Sequence, residues 1–169
     1  MRNLFLIFSI CILASCSNDD SFIHSIDNIY GSWEKTENVS AEQFDLDSNY
    51  NYSVKQVLNL NRDNSFEWFI SIIKKDSGDL MGYRQKEIGS FSQNVDKLVF
   101  NFDRFEPEQN SESNPYTLST LENLMLTDQN IIKNYSFKVF NNDKTLLFDF
   151  PSCGPNSTCL ADIELNKVE

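Results

Sequence analysis

From Tyr30 onward the chain is built of short runs in which apolar and polar residues alternate, separated by clusters of Asn, Asp, Ser and Gly. Alternation with a period of two is the pattern of a strand with one buried face, and the polar clusters supply its turns. Tyr30 to Asn38, carrying Trp33, reads as a first strand, followed by a long polar loop from Ser40 to Asn51. Ser53 to Asn61 places Val54, Leu58 and Leu60 on one face, with Gln56 interrupting it. The turn Asn61 to Ser65 then leads into Phe66, Trp68, Ile70 and Ile72, the clearest alternation in the chain. A loop from Lys75 to Asp79 precedes a strand from Leu80 to Ser92, for which Gly82 or Gly89 offers a place to bend. Asn94-Val95-Asp96 turns the chain into Lys97 to Asp103, with Leu98, Phe100 and Phe102 on one face.

The segment Glu106 to Pro115 is acidic and rich in Asn and Ser, and predicts no regular structure. Beyond it Leu118, Leu121, Leu124 and Met125 recur at helical spacing. Ser119, with Glu122 three residues on, matches a capping box, so a short helix is expected there. Strands resume with Tyr135, Phe137 and Val139, turn at Asn141-Asn142-Asp143, and continue with Leu146, Phe148 and Phe150. After a cysteine-containing loop, Ala161, Ile163 and Leu165 mark a last strand between Cys159 and Val168. About eight strands in meander order, with one short helix in a long insertion, predict an all-β antiparallel up-and-down barrel or a sandwich. Eight strands suit a closed barrel whose interior holds one small ligand.

The first residues follow a different rule. Arg2 and Asn3 open an apolar run from Leu4 through Leu13 that ends at Ala14-Ser15-Cys16. The run is too short to span a bilayer comfortably, and small residues precede the cysteine as a signal peptidase requires. Leu13-Ala14-Ser15-Cys16 resembles the lipobox of bacterial lipoproteins, which implies cleavage before Cys16 and lipidation of that cysteine. The expected organisation is a signal peptide over residues 1–15, a tether over 16–29 and a barrel domain over 30–169. Several acyl chains on one cysteine anchor a protein stably to a membrane. The acidic Ser17-Asn18-Asp19-Asp20 is similar to the surface-export signal of Bacteroidetes lipoproteins, and reads equally as a solvated leash. The expected location is the outer membrane, on its periplasmic or its outer face.

Composition narrows the function. The net charge is −11, and losing Arg2 with the leader makes it more negative, which argues against nucleic acid and against attraction to anionic lipid. Fourteen Phe and six Tyr beside only five Gly supply aromatic mass for a core or a pocket. Of four cysteines, Cys11 leaves with the leader and Cys16 takes the lipid, so Cys153 and Cys159 remain. In an oxidising compartment they are expected to form a disulfide, whose short ring contributes roughly 2 kcal/mol. A metal site there would need further soft or imidazole ligands, and His24 is the only histidine.

No catalytic device stands out, and neither enzymatic activity nor a cofactor is expected. His24 falls in the tether, and no phosphate-binding glycine loop or zinc spacing occurs. Glu106 and Glu108 are a carboxylate pair in an acidic loop, which is commoner as solvated surface than as a glycosidase pair. Asp45 to Asn51 carries alternate oxygen ligands, but Tyr50 stands where a calcium loop needs Gly and Gln56 where it needs a bidentate Glu.

Gly31-Ser32-Trp33 resembles the Gly-x-Trp of lipocalins. Three longer phrases resemble bacterial lipocalin-like lipoproteins in order and spacing: Leu58 to Phe66, Ile88 to Phe91 before Asp96-Lys97-Leu98, and Tyr135-Ser136-Phe137 leading to Lys144-Thr145-Leu146. The resemblance implies a barrel that binds a small hydrophobic or amphipathic ligand, with Trp33 plugging its base. Lipocalins usually close that base with an arginine. Here Lys138, Lys144 and Lys167 compete for the place, and the insertion from Asp103 to Lys133 departs from the pattern and is a candidate cap for the mouth. The aromatics Trp68, Phe100, Phe102, Phe137 and Phe148 are the candidate ligand contacts, with core packing as their alternative role. The competing function is an interaction module, a filled barrel presenting its loops to an envelope protein or a glycan.

Overall fold

The computed structural model describes residues 28–108, 117–150 and 161–168. Cys16, Cys153 and Cys159, and with them the lipidation and disulfide readings, lie outside the described residues. Eight antiparallel strands form a closed barrel in which each pairs with its neighbours in sequence and the last returns to the first. They are β1 (Gly31–Val39), β2 (Tyr52–Leu60), β3 (Ser65–Lys74), β4 (Leu80–Asn94), β5 (Lys97–Glu106), β6 (Met125–Phe140), β7 (Thr145–Asp149) and β8 (Ile163–Lys167). The sequence expectation of an all-β up-and-down barrel therefore holds.

The turns follow from side-chain chemistry. In the β2–β3 turn, Asp63 accepts bonds from the Ser65 backbone N–H at 2.9 Å and from its hydroxyl at 2.6 Å. These bonds hold the Asp63 carboxyl below its usual range, and Asn64 takes the left-handed conformation that closes the turn. Between β6 and β7, Asn141, Asn142 and Asp143 are all left-handed, a conformation Asn and Asp tolerate better than other side chains. The β4–β5 turn breaks this rule, since Val95, a β-branched residue, sits at φ 56°.

One end of the barrel is packed solid. Trp33, Leu58, Leu60, Phe66, Leu98, Phe100, Leu146, Phe148 and Leu165 are at most 1 % exposed. Phe66 meets Phe100 edge-on with centroids 4.7 Å apart. Trp33 donates its indole N–H to the Ile29 carbonyl at 2.7 Å, and Lys167 lies over its ring at 5.0 Å while donating to the Asn28 carbonyl at 3.3 Å. Of the three lysines competing for the base, Lys167 is the one that covers Trp33. Lys138 is exposed and pairs with Asp149, and Lys144 lies in the β6–β7 turn. Packing starts before Tyr30, for Ile29 is fully buried.

Two glycines of β4 shape this wall. Gly89 lies between Phe66 of β3 and Phe102 of β5, and a methyl there would collide with the Asn101 carbonyl oxygen and lie 2.7 Å from Phe102 Cα. Without a side chain at that point Phe66 and Phe102 touch across it, 6.0 Å apart. The bulges of β4 fall instead around Gly82, at φ 155°, where a Cβ would approach Leu118 Cβ to 2.9 Å. There the insertion crosses the strand.

That crossing corrects the expected helix. Residues 118–125 form no amphipathic helix: Ser119 makes a two-way backbone bridge with Tyr83 at 2.7 and 3.0 Å, and a single 3-10 turn covers Leu121–Asn123. The turn buries none of its residues, and its N-cap is Thr120 rather than Ser119, with no side-chain cap. β6 already begins at Met125, so the insertion is shorter than the Asp103–Lys133 span read from sequence.

At the mouth a second, smaller core gathers Phe44, Tyr52 and Ile72, with Val54, Met81 and Leu118 against it. A 3-10 turn over Ala41–Phe44 delivers Phe44 to it from the long β1–β2 loop. In the same loop Asp47 accepts from the Asn49 backbone and side-chain amides at 3.0 and 2.7 Å. Asp47 is thereby engaged in a local turn, and among the described residues no three potential metal ligands cluster.

Candidate functional site

Between the two apolar cores the barrel interior becomes polar. Moving along the inward face from base to mouth, Leu60 and Leu58 of β2 give way to Gln56, and Phe91 and Gly89 of β4 to Glu87 and Gln85. Leu98, Phe100 and Phe102 of β5 give way to Arg104, and Phe137 of β6 to Tyr135 and Lys133. On β2 to β5 the change falls at paired positions, Gln56 beside Ile70, Ile70 beside Gln85 and Glu87 beside Arg104, whereas on β6 Tyr135 and Lys133 pair with Leu98 and Phe100; their side chains nevertheless line the same space. The inward face of β3 stays apolar throughout, with Phe66, Trp68, Ile70 and Ile72.

At this height lies a cavity of about 300 Å³, lined by Trp68, Ile70, Phe150 and Ile163 on its apolar side and by Gln56, Gln85, Glu87, Arg104, Lys133 and Tyr135 on its polar side. It ends against Phe150, Ala161 and Ile163, where the five-residue strands β7 and β8 stop short of their longer neighbours. Two larger hollows, of about 520 and 430 Å³, lie where residues 117–125 cross the rim. They hold no buried charge, and the chemistry is concentrated in the smaller interior one.

Glu87 organises the polar side. It is 5 % exposed, and its Oε1 accepts from Arg104 Nη2 at 2.8 Å, from Arg104 Nε at 3.0 Å and from Gln85 Nε2 at 2.8 Å. A carboxylate this deep requires such partners, because burial without them costs several kcal/mol. The Tyr135 phenol, beside them, is pushed up to about 12 by burial and by the negative charge of Glu87, with Arg104 opposing. Tyr135 is therefore a neutral hydroxyl at physiological pH, wedged between Phe148 and Phe150 with both centroids 5.4 Å away. Lys133 and Arg104 lie 5.6 and 5.9 Å from the Phe102 ring centroid. The cavity wall thus carries two cations and one carboxylate.

Of the five aromatics proposed from sequence as ligand contacts, Trp68 lines the cavity. Phe100, Phe102, Phe137 and Phe148 are at most 3 % exposed and form the packed floor beneath it. Trp33 stands at the far end of the barrel, sealed under Lys167. Sequence reading passed over Gln85, Glu87, Arg104 and Lys133, and took Gln56 as an interruption of an apolar face. The available signal was that each alternation continues in register into a polar residue: Phe100, Phe102, Arg104 is one inward row. Comparison with family models, with curated proteins and with solved structures finds no match to this chain.

Proposed function

We propose that the protein is a non-enzymatic lipoprotein that binds a small amphipathic molecule in the mouth half of its barrel, tethered to an envelope membrane through Cys16. The observation that carries the reading is a cavity of about 300 Å³ with one apolar and one polar wall inside an otherwise packed barrel. That volume is at the lower end of small-molecule sites and equals the space of roughly ten water molecules. A compact ligand fits it. The lipobox and the resemblance to lipocalin-like lipoproteins support anchoring at the outer membrane, and the net charge of −11 speaks against nucleic acid as a partner.

Filling the cavity tests this. Ile70→Trp places an indole in the space, and the variant is expected to keep its melting temperature while losing affinity for a neutral naphthalene carboxamide. Undiminished binding by the filled variant, or no binding by either protein, would overturn the ligand-binding reading and favour a module that acts through its loops on an envelope protein or a glycan.

A further inference from the structure

We propose that the cavity selects an anion: a compact amphiphile whose carboxylate, or another oxyanion of similar size, sits between Lys133 and Arg104 while its apolar body lies on Trp68, Ile70 and Ile163. The inference rests on the ligand-binding reading above and names the chemistry of the ligand.

Three observations carry it. The wall holds two cations against one carboxylate, an excess of positive charge inside a protein whose net charge is −11. The one carboxylate is already engaged, since Arg104 and Gln85 direct three hydrogen bonds to Glu87 Oε1. No carboxylate among the described residues pairs with Lys133, whose ammonium is accounted for only by the Phe102 ring at 5.6 Å. An ammonium in this wall without a carboxylate partner is what an arriving oxyanion completes at Lys133. The Tyr135 hydroxyl, held neutral, adds a further donor to the same wall without opposing an anion. Glu87 fixes the geometry: by pinning Arg104 it keeps one cation in place and leaves the positive excess on Lys133.

The test compares three probes of one shape on the purified protein: naphthalene carboxylate, its neutral carboxamide and naphthylmethylammonium. The carboxylate is expected to bind about tenfold or more tighter than the amide, the gain typical of hydrogen bonds to a charged group, and the cation weakest. Lys133→Gln should abolish the preference between carboxylate and amide, and Lys133→Arg should retain most of it. Lys138→Gln, which removes the same charge from the outer surface, should leave the preference intact. Equal binding of the three probes, or a preference that Lys138→Gln reduces as much as Lys133→Gln does, overturns anion selection while the cavity reading stands. Failure of all three to bind overturns both.

Discussion

The two halves of this barrel are made from the same strands but obey different physics. In the base half the inward rows are mostly Trp, Phe and Leu side chains that are almost wholly buried, and Trp33 has its one polar group satisfied by Ile29. In the mouth half the same strands present Gln56, Gln85, Glu87, Arg104 and Lys133, and a cavity remains. Stability is concentrated where packing is complete, and the capacity to bind where packing stops and unmatched charge begins. The division falls across β2 to β6 and β8 rather than between strands, so each of these is scaffold at one end and site at the other.

The sharpest way to break that division is to truncate a side chain in each half. Phe148→Ala, in the base, is expected to cost about 3–5 kcal/mol, the range for a buried phenylalanine whose site cannot collapse. Ile70→Ala, beside the existing cavity, should cost less than about 2 kcal/mol, because part of its surface already faces open space. Chemical denaturation midpoints decide it, and equal losses would mean the cavity half is packed as tightly as the base.

Gly89→Ala comes next. The added methyl meets the Asn101 carbonyl, a backbone atom that has little freedom to move, so a destabilisation of about 1–3 kcal/mol is expected in thermal melts. A neutral effect would show that β4 and β5 are not in close approach there.

The electrostatics of the mouth half can be read through Tyr135. Its folded pKa of about 12 lies above the ordinary value of 10.0. The native state therefore holds the phenolic proton more tightly than the unfolded chain does. The resulting stabilisation is fully present below pH 10 and is lost as pH rises from there through about 12. Following tyrosinate absorbance, a late-titrating phenol is expected that is absent in Tyr135→Phe. Glu87→Gln should move that phenol to lower pH, since the negative charge that helps suppress its ionisation is gone. An unmoved titration would leave burial as the sole cause.

The smallest effect is a gain. Val95 is 83 % exposed and left-handed at φ 56°, a conformation that costs an ordinary side chain roughly 1–2 kcal/mol and glycine very little. Val95→Gly should stabilise by up to about 1 kcal/mol, the relief being offset in part by the greater freedom of glycine when unfolded. A lower melting temperature would show that the turn is not strained.

How much of this was legible depended on whether burial kept its period. The hairpin from Ser53 to Lys74 and the rows Leu98-Phe100-Phe102 and Leu146-Phe148 alternate cleanly, and they are strands. The first part of β6, from Met125 to Asn130, does not alternate. Register shifts around Arg104 set extra residues of β6 into its pairing with β5, Asn130 turns left-handed with its N–H on Asp103, and both faces are largely exposed. A strand with bulges and no buried face leaves no period to read. The leucine spacing at 118–125 misled for the opposite reason. Leu118 serves the mouth core while Leu121 belongs to a 3-10 turn, so the helical interval joins residues that share no face. The cavity was written in the polar ends of the inward rows, but a glutamine or arginine at such a position also suits a strand end in solvent, and only closure of the barrel brings them together.

The two tryptophans mark the two halves, Trp33 under Lys167 at the sealed base and Trp68 on the cavity wall. The most direct measurement is therefore fluorine NMR of fluorotryptophan-labelled protein titrated with naphthalene carboxylate. The account predicts that the Trp68 resonance, assigned by Trp68→Phe, shifts in a saturable manner while the Trp33 resonance stays in place. Two unmoved resonances, or a saturable shift at Trp33 alone, would contradict a ligand cavity in the mouth half of the barrel.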